Sequence, residues 1–337
     1  MPSTESRPTG VGIVGLGFIG RTHLRALAAL EARGAPCRVV AICESDPARR
    51  SGLASAGAPD AAAGSGLFDP ARVRAVAHPD ELFTDPGVAI SLICTPTDTH
   101  VDLAVRALRA GQHVLVEKPV ALAASEIERL AEVARAADRL CMPAMCMRFW
   151  PGWAWLRDRV RDGVLGRVHS AVFRRLGSRP GWSDFYGDRG RSGGALFDLH
   201  VHDADFISWC FGPPDSVTAT GTPDHLTALY AFAGGPAHVV AEGGWDHDPG
   251  LGFRMRYTVV FERATADWDL RRDPPLLLHR NGVTESPPLP AETAYEAQAR
   301  QFLEGVRTGS VGALPTLAEA ARVTRTLERV RSQLRPD

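Results

Sequence analysis

The sequence lacks the features that would direct a protein to a membrane, a nucleic acid or a metal ion. Its 337 residues hold no uninterrupted apolar run near the roughly 18 residues of a transmembrane helix, and the N-terminus lacks the apolar core of a signal peptide. The formal net charge is −1 without long runs of one sign, so no global field favours nucleic acid or a lipid surface. The six cysteines show no metal-type pair spacing, and we interpret them as reduced core thiols. We therefore expect a cytoplasmic protein without a bound metal, whose partners include neither nucleic acid nor membrane.

Length and pattern predict two domains. A chain of 337 residues with 45% apolar residues is long enough for two cores. From residue 10 to about 140, strand patterns alternate with helical spacing, whereas the second half resembles successive strands separated by Gly/Pro turns. We predict the class α/β, with a Rossmann dinucleotide-binding domain at residues 1–145. Residues 146–337 would form an α+β domain on an open, mostly antiparallel sheet arranged as a meander, and the Ala- and Gly-rich stretch 54–70 would form a surface loop.

A glycine-rich turn near the N-terminus is the first functional signal. Gly15-Leu16-Gly17-Phe18-Ile19-Gly20 lies between the apolar segment Val11–Val14 and a stretch with helical spacing, as in a strand-turn-helix unit. In such a unit Gly15 permits the tight turn, Gly17 lets the backbone approach a pyrophosphate, and Gly20 lets helix and strand pack closely. The pyrophosphate then lies on the N–H groups that begin the helix. The alternative is a turn that needs glycine for its backbone angles alone.

An acidic residue follows the next predicted strand. Glu44 comes directly after the segment Arg38–Cys43, where a carboxylate commonly binds the ribose hydroxyls of NAD. Because this carboxylate would repel a 2′-phosphate, we favour NAD over NADP. NADP stays open, since Ser45, Arg49 and Arg50 lie just beyond and could hold a phosphate. The alternative for Glu44 is a solvated loop acid.

A second motif, Glu117-Lys118-Pro119, follows the predicted strand His113–Val116. Ligands of open α/β sheets bind outside the C-terminal ends of the strands. The lysine is therefore predicted to lie at the edge of the sheet where an active site is expected.

The second half carries a candidate pair for proton transfer. A predicted helix from about Gly194 to Cys210 places Asp198 and His202 four residues apart on one face, with Asp205 one turn beyond. A carboxylate one turn from an imidazole orients the ring and raises its basicity. Together with Lys118, the pair supplies the titratable groups needed to move a hydride and a proton.

Two alternatives to this pair stay open. A metal site is disfavoured because His200 and His202, two residues apart on a helix, point in different directions. The other alternative is an Asp198 that caps a helix beside a hydrogen-bonded core histidine.

These motifs together resemble one known family. The glycine turn, Thr95-Pro96 with His100, the segment Ala110–Pro119 and the segment Gly193–Asp205 resemble the glucose–fructose oxidoreductase / inositol dehydrogenase / rhizopine-catabolism (Gfo/Idh/MocA) family over nearly the whole chain. One position departs from the commonest pattern, because His200 stands where many members have glycine. We expect His200 to pack or to lie behind the pocket.

The resemblance implies roles for individual residues. Lys118 would hydrogen-bond the reacting hydroxyl or carbonyl, His202 would be the main general acid/base, and Asp198 would bind substrate hydroxyls or orient His202. A cis peptide bond often precedes the proline of the lysine motif. Thr95, Pro96 and His100 would lie along the nicotinamide side of the cofactor. The full cofactor-binding set is Gly15, Gly17, Phe18, Ile19, Gly20, Glu44, Thr95, Pro96, His100, Glu117 and Lys118.

The predicted function is an NAD(P)-dependent oxidoreductase acting on a secondary alcohol or ketone of a sugar, an inositol or a related cyclic polyol. Alternatives are a reductase of a keto or imine intermediate in a biosynthetic pathway, and a non-catalytic NAD-binding sensor on the same fold. The resemblance also implies a homodimer or homotetramer assembled through the open sheet face. The candidate substrate-binding residues are Lys118, Arg148, Trp150, Arg175, Trp182, Asp198, His202 and Trp245.

Overall fold

The computed structural model describes residues 8–52 and 66–335, so most of the loop expected at 54–70 lies outside the described residues. The chain divides into two compact units. Unit 1 comprises Met1–Ala121, Ser125–Ala144 and Tyr295–Ala318, and unit 2 comprises the remainder. The chain passes from unit 1 to unit 2 between Ala144 and Met145, and the later segment Tyr295–Ala318 belongs to unit 1 again. The division of the chain at 145/146 stays a prediction.

The strands are β1 Thr9–Val14, β2 Cys37–Cys43, β3 Arg74–Val76, β4 Ile90–Ile93, β5 His113–Val116, β6 Cys141–Pro143, β7 Val168–Leu176, β8 Ser216–Thr222, β9 His225–Ala231, β10 His238–Gly244, β11 Arg254–Phe261, β12 Thr265–Asp269, β13 Leu276–Arg280 and β14 Val283–Glu285. The helices are α1 Phe18–Ala32, α2 Pro47–Arg50, α3 Pro79–Phe83, α4 His100–Arg109, α5 Ala124–Ala136, α6 Pro151–Asp162, α7 Arg189–Ser192, α8 Gly194–Asp198, α9 His200–Phe211, α10 Ala294–Thr308 and α11 Leu317–Arg331. Within the described ranges, none of these helices combines the length and the apolar character needed to cross a membrane.

Unit 1 is built on a parallel sheet with the strand order β3-β2-β1-β4-β5-β6. The Rossmann prediction is confirmed. All four residues of β4 are buried, as expected for a strand covered on both faces. The order reverses between β1 and β4, and ligands of such sheets bind outside the strand ends at this point. The sixth strand is three residues long, and the chain turns into a 3₁₀ helix at Cys146–Phe149 soon after it.

Unit 2 is built on an eight-stranded sheet with the order β14-β13-β12-β11-β7-β10-β9-β8. Six of its seven pairings are antiparallel, which confirms a mostly antiparallel sheet. The predicted meander is wrong, because β7 lies between β11 and β10 and pairs with β10 in parallel. Parallel pairing needs a crossover connection, and the segment between β7 and β8 supplies helices for it. Burial alternates along β11, leaving residues such as Arg256 and Thr258 on the opposite face from the core.

The prediction of a single helix from Gly194 to Cys210 is wrong in one respect. The structure has two helices there, α8 and α9, which are separated at Leu199. The helical spacing used to place Asp198 and His202 on one face therefore does not run unbroken between them.

Candidate cofactor and active site

The glycine turn joins β1 to α1 in unit 1. Gly15 has a φ of 92°, and a Cβ there would lie 2.7 Å from the carbonyl oxygen of Cys94, so the position requires glycine. A Cβ at Gly20 would collide with the carbonyl oxygen of Gly15. By contrast, a Cβ at Gly17 would meet no described heavy atom within 4 Å. Gly17 is also the N-cap of α1 and contributes no side-chain cap, so open space adjoins a helix start that suits a phosphate group.

Glu44 lies at the C-terminal end of β2 and contacts this turn. Its Oε2 accepts from the backbone N–H of Leu16 at 2.8 Å, and its Oε1 accepts from the N–H of Asp46 at 3.0 Å. The residue is 5% exposed, so the alternative of a solvated loop acid is wrong. Arg49 donates to Glu44 Oε1 at 3.4 Å, and Arg50 donates to the carbonyl oxygens of residues 44 and 45. Arg49 and Arg50, the arginines that could have held the 2′-phosphate of NADP, thus donate hydrogen bonds to residues 44 and 45.

Replacing Glu44 by glutamine tests the cofactor preference. We expect Glu44→Gln to weaken NAD binding about tenfold and to narrow the preference for NAD over NADP, because a charged acceptor for the ribose hydroxyls is lost with little change in shape. The measurement is a fluorescence titration with NADH and NADPH. Asp46→Asn, which removes the same charge two residues away, is the matched control. An unchanged ratio of the two dissociation constants in Glu44→Gln would contradict the assignment.

Thr95, Pro96 and His100 follow β4 beside the glycine turn. A Cβ at Gly15 would lie 3.1 Å from Thr95 Cγ2. His100 is buried, with Nδ1 2.9 Å from the carbonyl oxygen of Pro119 and Nε2 2.8 Å from that of Thr95. Burial lowers the pKa of His100, although the two carbonyls oppose this. His100 thus joins the end of β4 to the segment after β5, and its contact with a cofactor stays a prediction.

The lysine motif lies at the C-terminal end of β5. Glu117 is buried, and its Oε2 accepts from the backbone N–H of Lys118 at 3.1 Å. Its Oε1 lies 2.7 Å from Nε2 of His23, a residue of α1 that the sequence analysis missed. The peptide bond between Lys118 and Pro119 is cis, as the resemblance implied. The available signal for His23 was a polar side chain at helical spacing from the apolar residues Leu27 and Leu30 of α1.

The predicted proton-transfer pair lies in unit 2. Asp198 is the last residue of α8, and His202 lies in the first turn of α9. His202 Nδ1 is 4.0 Å from the Sγ of Cys146, which follows β6. Cys146 was assigned only to the core from sequence, so its proximity to His202 is a finding of the structure.

Two arginines predicted to bind substrate are buried in ion pairs with α9. Arg148 donates from Nε and Nη2 to Asp205 at 2.9 and 2.6 Å, and Arg175 donates from Nε and Nη2 to Asp203 at 3.0 and 2.9 Å. Both arginine side chains are 3% exposed. Burial raises the pKa of Asp203, and Arg175 opposes this rise. Both guanidinium groups are occupied by buried carboxylates. Contact of Arg148 and Arg175 with a substrate stays a prediction.

The three candidate tryptophans occupy different surroundings. Trp182 is 58% exposed, whereas Trp245 is buried. Tyr186, which the sequence analysis did not single out, meets both edge-on, with ring centroids 5.9 Å from Trp182 and 6.0 Å from Trp245. Trp150 lines a separate cavity of about 440 Å³ with Trp268 and prolines, and no other substrate candidate lines it. The structure therefore joins Trp182 and Trp245 but not Trp150.

His200 packs, as expected. It is fully buried, and its Nε2 lies 2.8 Å from the hydroxyl of Tyr230. Burial, with the charge of Arg175, lowers the pKa of His200 to about 3, so the ring is neutral. Across the described residues, the one group with donor atoms close enough to share a metal ion is His225, Asp246 and His247, which does not include the Asp198 and His202 pair. His225 Nδ1 lies 2.7 Å from Asp246 Oδ1, so an ordinary hydrogen bond accounts for that contact.

Comparison with known proteins gives matches to both units. The family description "Oxidoreductase family, NAD-binding Rossmann fold" matches residues 9–145, and the "GFO/IDH/MocA C-terminal domain" matches residues 153–267. Inositol 2-dehydrogenase from Rhizobium meliloti is 30% identical over 210 residues, which cover 62% of this chain and 57% of that protein. The chain spans between 39% and 57% of the length of the first curated relatives that it matches.

Solved structures share the fold over almost the whole chain. Levoglucosan dehydrogenase in complex with NADH and levoglucosan has a TM-score of 0.81 at 19% identity and covers 97% of both chains. A 3-ketoreductase from Actinomadura kijaniata, solved with TDP-benzene and NADP, has a TM-score of 0.77 at 22% identity and covers 97% of this chain and 98% of its own. At these identities the likeness establishes the fold alone. With both family domains matched in order along the sequence, the chain belongs to the Gfo/Idh/MocA family of oxidoreductases.

Proposed function

We propose that the chain is an NAD-dependent dehydrogenase that oxidises a secondary alcohol of a sugar, an inositol or a related cyclic polyol. The observation that carries the proposal is the position of Lys118 at the C-terminal end of β5, in the same compact unit as the glycine turn and Glu44. Family membership and the curated inositol dehydrogenases support the substrate class. Reduction of a keto intermediate is the second candidate, since a group that takes a proton in oxidation can return it in reduction.

The residues of unit 1 fit a nicotinamide dinucleotide. The open space at Gly17 and the start of α1 suit its pyrophosphate, and the fixed carboxylate of Glu44 suits its ribose hydroxyls. A bound nicotinamide supplies the acceptor or donor of the hydride. The choice of NAD rests on Glu44, which would repel a 2′-phosphate.

The protein's own residues would move the proton. We assign to Lys118 a hydrogen bond from Nζ to the reacting oxygen, which stabilises the negative charge that develops when the hydroxyl loses its proton. His202 is assigned as the base that takes this proton in oxidation and returns it in reduction. Asp198 is assigned to substrate hydroxyls or to the orientation of His202. Trp182, which is exposed, and Trp245 are further candidates for contact with a sugar ring.

A direct test is nicotinamide absorbance with NAD and then NADP, across inositols, aldoses, sugar acids and their keto forms. We expect NAD reduction with at least one cyclic polyol and a weaker signal with NADP. Turnover only with keto forms and a reduced cofactor would favour the second candidate. Silence across the panel, together with tight NAD binding, would contradict a dehydrogenase and favour the non-catalytic sensor.

We also propose a homo-oligomer assembled through the open face of the eight-stranded sheet, and a cytoplasmic location. The open face carries both polar and apolar side chains, including Leu229, which is 44% exposed, and the ion pair of Arg174 with Glu242. The six cysteines are buried and form no disulfide bond among the described residues, which suits a reducing compartment. Light scattering with an in-line column gives the mass directly, and a monomer at micromolar concentration would contradict the assembly.

A further inference from the structure

His23 is a fully buried histidine on α1, and the proposed mechanism gives it no role. Its side chain is 0% exposed, and Glu117, its partner at 2.7 Å, is 5% exposed. The Nδ1 atom of His23 has no hydrogen-bond partner among the described residues, and the ring meets Tyr295 edge-on with centroids 5.5 Å apart. An apolar side chain would fill this space without an unsatisfied Nδ1 atom, but it would remove the partner of the buried Glu117 Oε1. Packing alone therefore does not explain a histidine at this position.

The partner of His23 controls the main chain of the lysine motif. One carboxylate oxygen of Glu117 faces His23, and the other accepts from the backbone N–H of Lys118 at 3.1 Å. The N–H of Glu117 donates to the carbonyl oxygen of Ile93 at 3.0 Å. If the imidazole were absent, the carboxylate would be free to rotate about its side-chain bonds, and the bond to Lys118 N–H would lose its orientation.

A second buried histidine holds the other side of the motif. His100 Nδ1 lies 2.9 Å from the carbonyl oxygen of Pro119. The backbone on both sides of Lys118 is thus held by polar side chains from α1, through Glu117, and from α4. Bonds of this kind in a site of low dielectric keep a reactive group in one geometry.

We propose that His23 is a positioning residue for Lys118: by holding the Glu117 carboxylate, it fixes the backbone from which the lysine reaches the reacting oxygen. This inference rests on the proposed role of Lys118. His23 touches neither substrate nor cofactor in this role. It orients Glu117, and Glu117 orients the peptide of Lys118.

The chain offers an unusually direct readout of this role, because Lys118 is its only lysine. Lys118 and the α-amino group are the two amines of the chain that an amine-directed reagent such as trinitrobenzenesulfonate can modify. Peptide mass analysis separates the two products, so the labelling rate of Lys118 reports on its surroundings whether or not a substrate is known. The α-amino group serves as an internal reference in the same sample.

The experiment compares four forms of the full chain: wild type, His23→Leu, His23→Gln and His113→Leu. His23→Leu keeps the packing volume but removes the donor, and His23→Gln restores an N–H donor. His113→Leu is the matched control, since it removes an acceptor of the Leu140 N–H at the opposite end of β5, away from the lysine motif. Thermal unfolding checks that each variant is folded.

We expect His23→Leu to lower kcat about tenfold or more with the dissociation constant for NAD within about twofold. The labelling rate of Lys118, relative to the α-amino group, should change by about threefold or more, and His23→Gln should restore most of both values. Equal Lys118 labelling in wild type and a folded His23→Leu would overturn the proposal, as would a loss of kcat no greater than that of His113→Leu. If wild-type protein turned over no substrate, the proposed function would fail, while the labelling result would still decide whether His23 positions the lysine.

Discussion

Replacing Lys118 by alanine is expected to lower kcat by about two to four orders of magnitude, with NAD affinity changed less than about twofold. The reason is that the proposed role of the ε-ammonium is to stabilise charge on the reacting oxygen, which develops only in the transition state. The lysine is half-buried, and its peptide N–H, which alanine retains, bonds to Glu117. The main chain of the motif should therefore persist. The measurement is initial rates with a saturating polyol, beside a fluorescence titration with NADH.

Lys118→Arg serves as the control for charge. It keeps a cation but replaces the point charge of the ammonium by a planar group of different reach, so we expect it to recover only a small part of the activity. Substantial turnover in Lys118→Ala would argue against the mechanism. A loss of activity that came with loss of NADH binding would instead assign Lys118 to the cofactor site.

Replacing Arg175 by methionine is expected to lower the free energy of unfolding by about 3–5 kcal/mol, because Asp203 is left as a buried carboxylate without its partner. Asp203 is wholly buried, and each of its two oxygens accepts from Arg175, one from Nε and the other from Nη2. The guanidinium also lies 5.4 Å from the ring centroid of Trp153 in the aromatic core of unit 2. Urea unfolding followed by tryptophan fluorescence measures the change.

Two further variants test whether the loss of stability in Arg175→Met comes from the unpaired charge of Asp203. The double variant Arg175→Met with Asp203→Leu should recover most of the loss, because the unpaired charge is gone. Arg280→Met, which breaks an exposed pair with Glu285, should cost less than about 1 kcal/mol. If Arg175→Met left stability unchanged and raised KM alone, Arg175 would be a substrate contact, as the sequence first suggested.

The cofactor half was predictable from sequence because its signals are local. The glycine turn, the acidic residue after β2 and the lysine after β5 each follow a short apolar strand, and the parallel order brings the strand ends to one edge. The predicted segments Val11–Val14, Arg38–Cys43 and His113–Val116 match β1, β2 and β5 to within two residues. Short strands such as β3 and β14, three residues each, carry too little pattern to be found.

The parts that sequence did not predict depend on contacts between distant residues. His23 and Glu117 are 94 positions apart, and no spacing rule joins them. The sequence did not predict the ion pairs of Arg148 with Asp205 and of Arg175 with Asp203 for the same reason. The two partners of each pair lie far apart in the chain. The position of β7 between β10 and β11 depends on pairing between strands that are far apart in sequence, which residue patterns within single strands do not encode.

The return of α10 to unit 1 has a consequence for how the protein is made. Tyr295 on this helix packs against His23, Glu296 pairs with Arg33, and a Cβ at Gly305 would lie 3.5 Å from the side chain of Leu140. A ribosome adding about 5–20 residues per second reaches α10 about eight to thirty seconds after finishing β6. During that interval the nascent cofactor-binding unit has all six of its strands but not the helix that covers His23. A chain that stopped before α10 would contain every cofactor motif. It would lack Tyr295, however, and would leave the side of His23 that Tyr295 covers exposed.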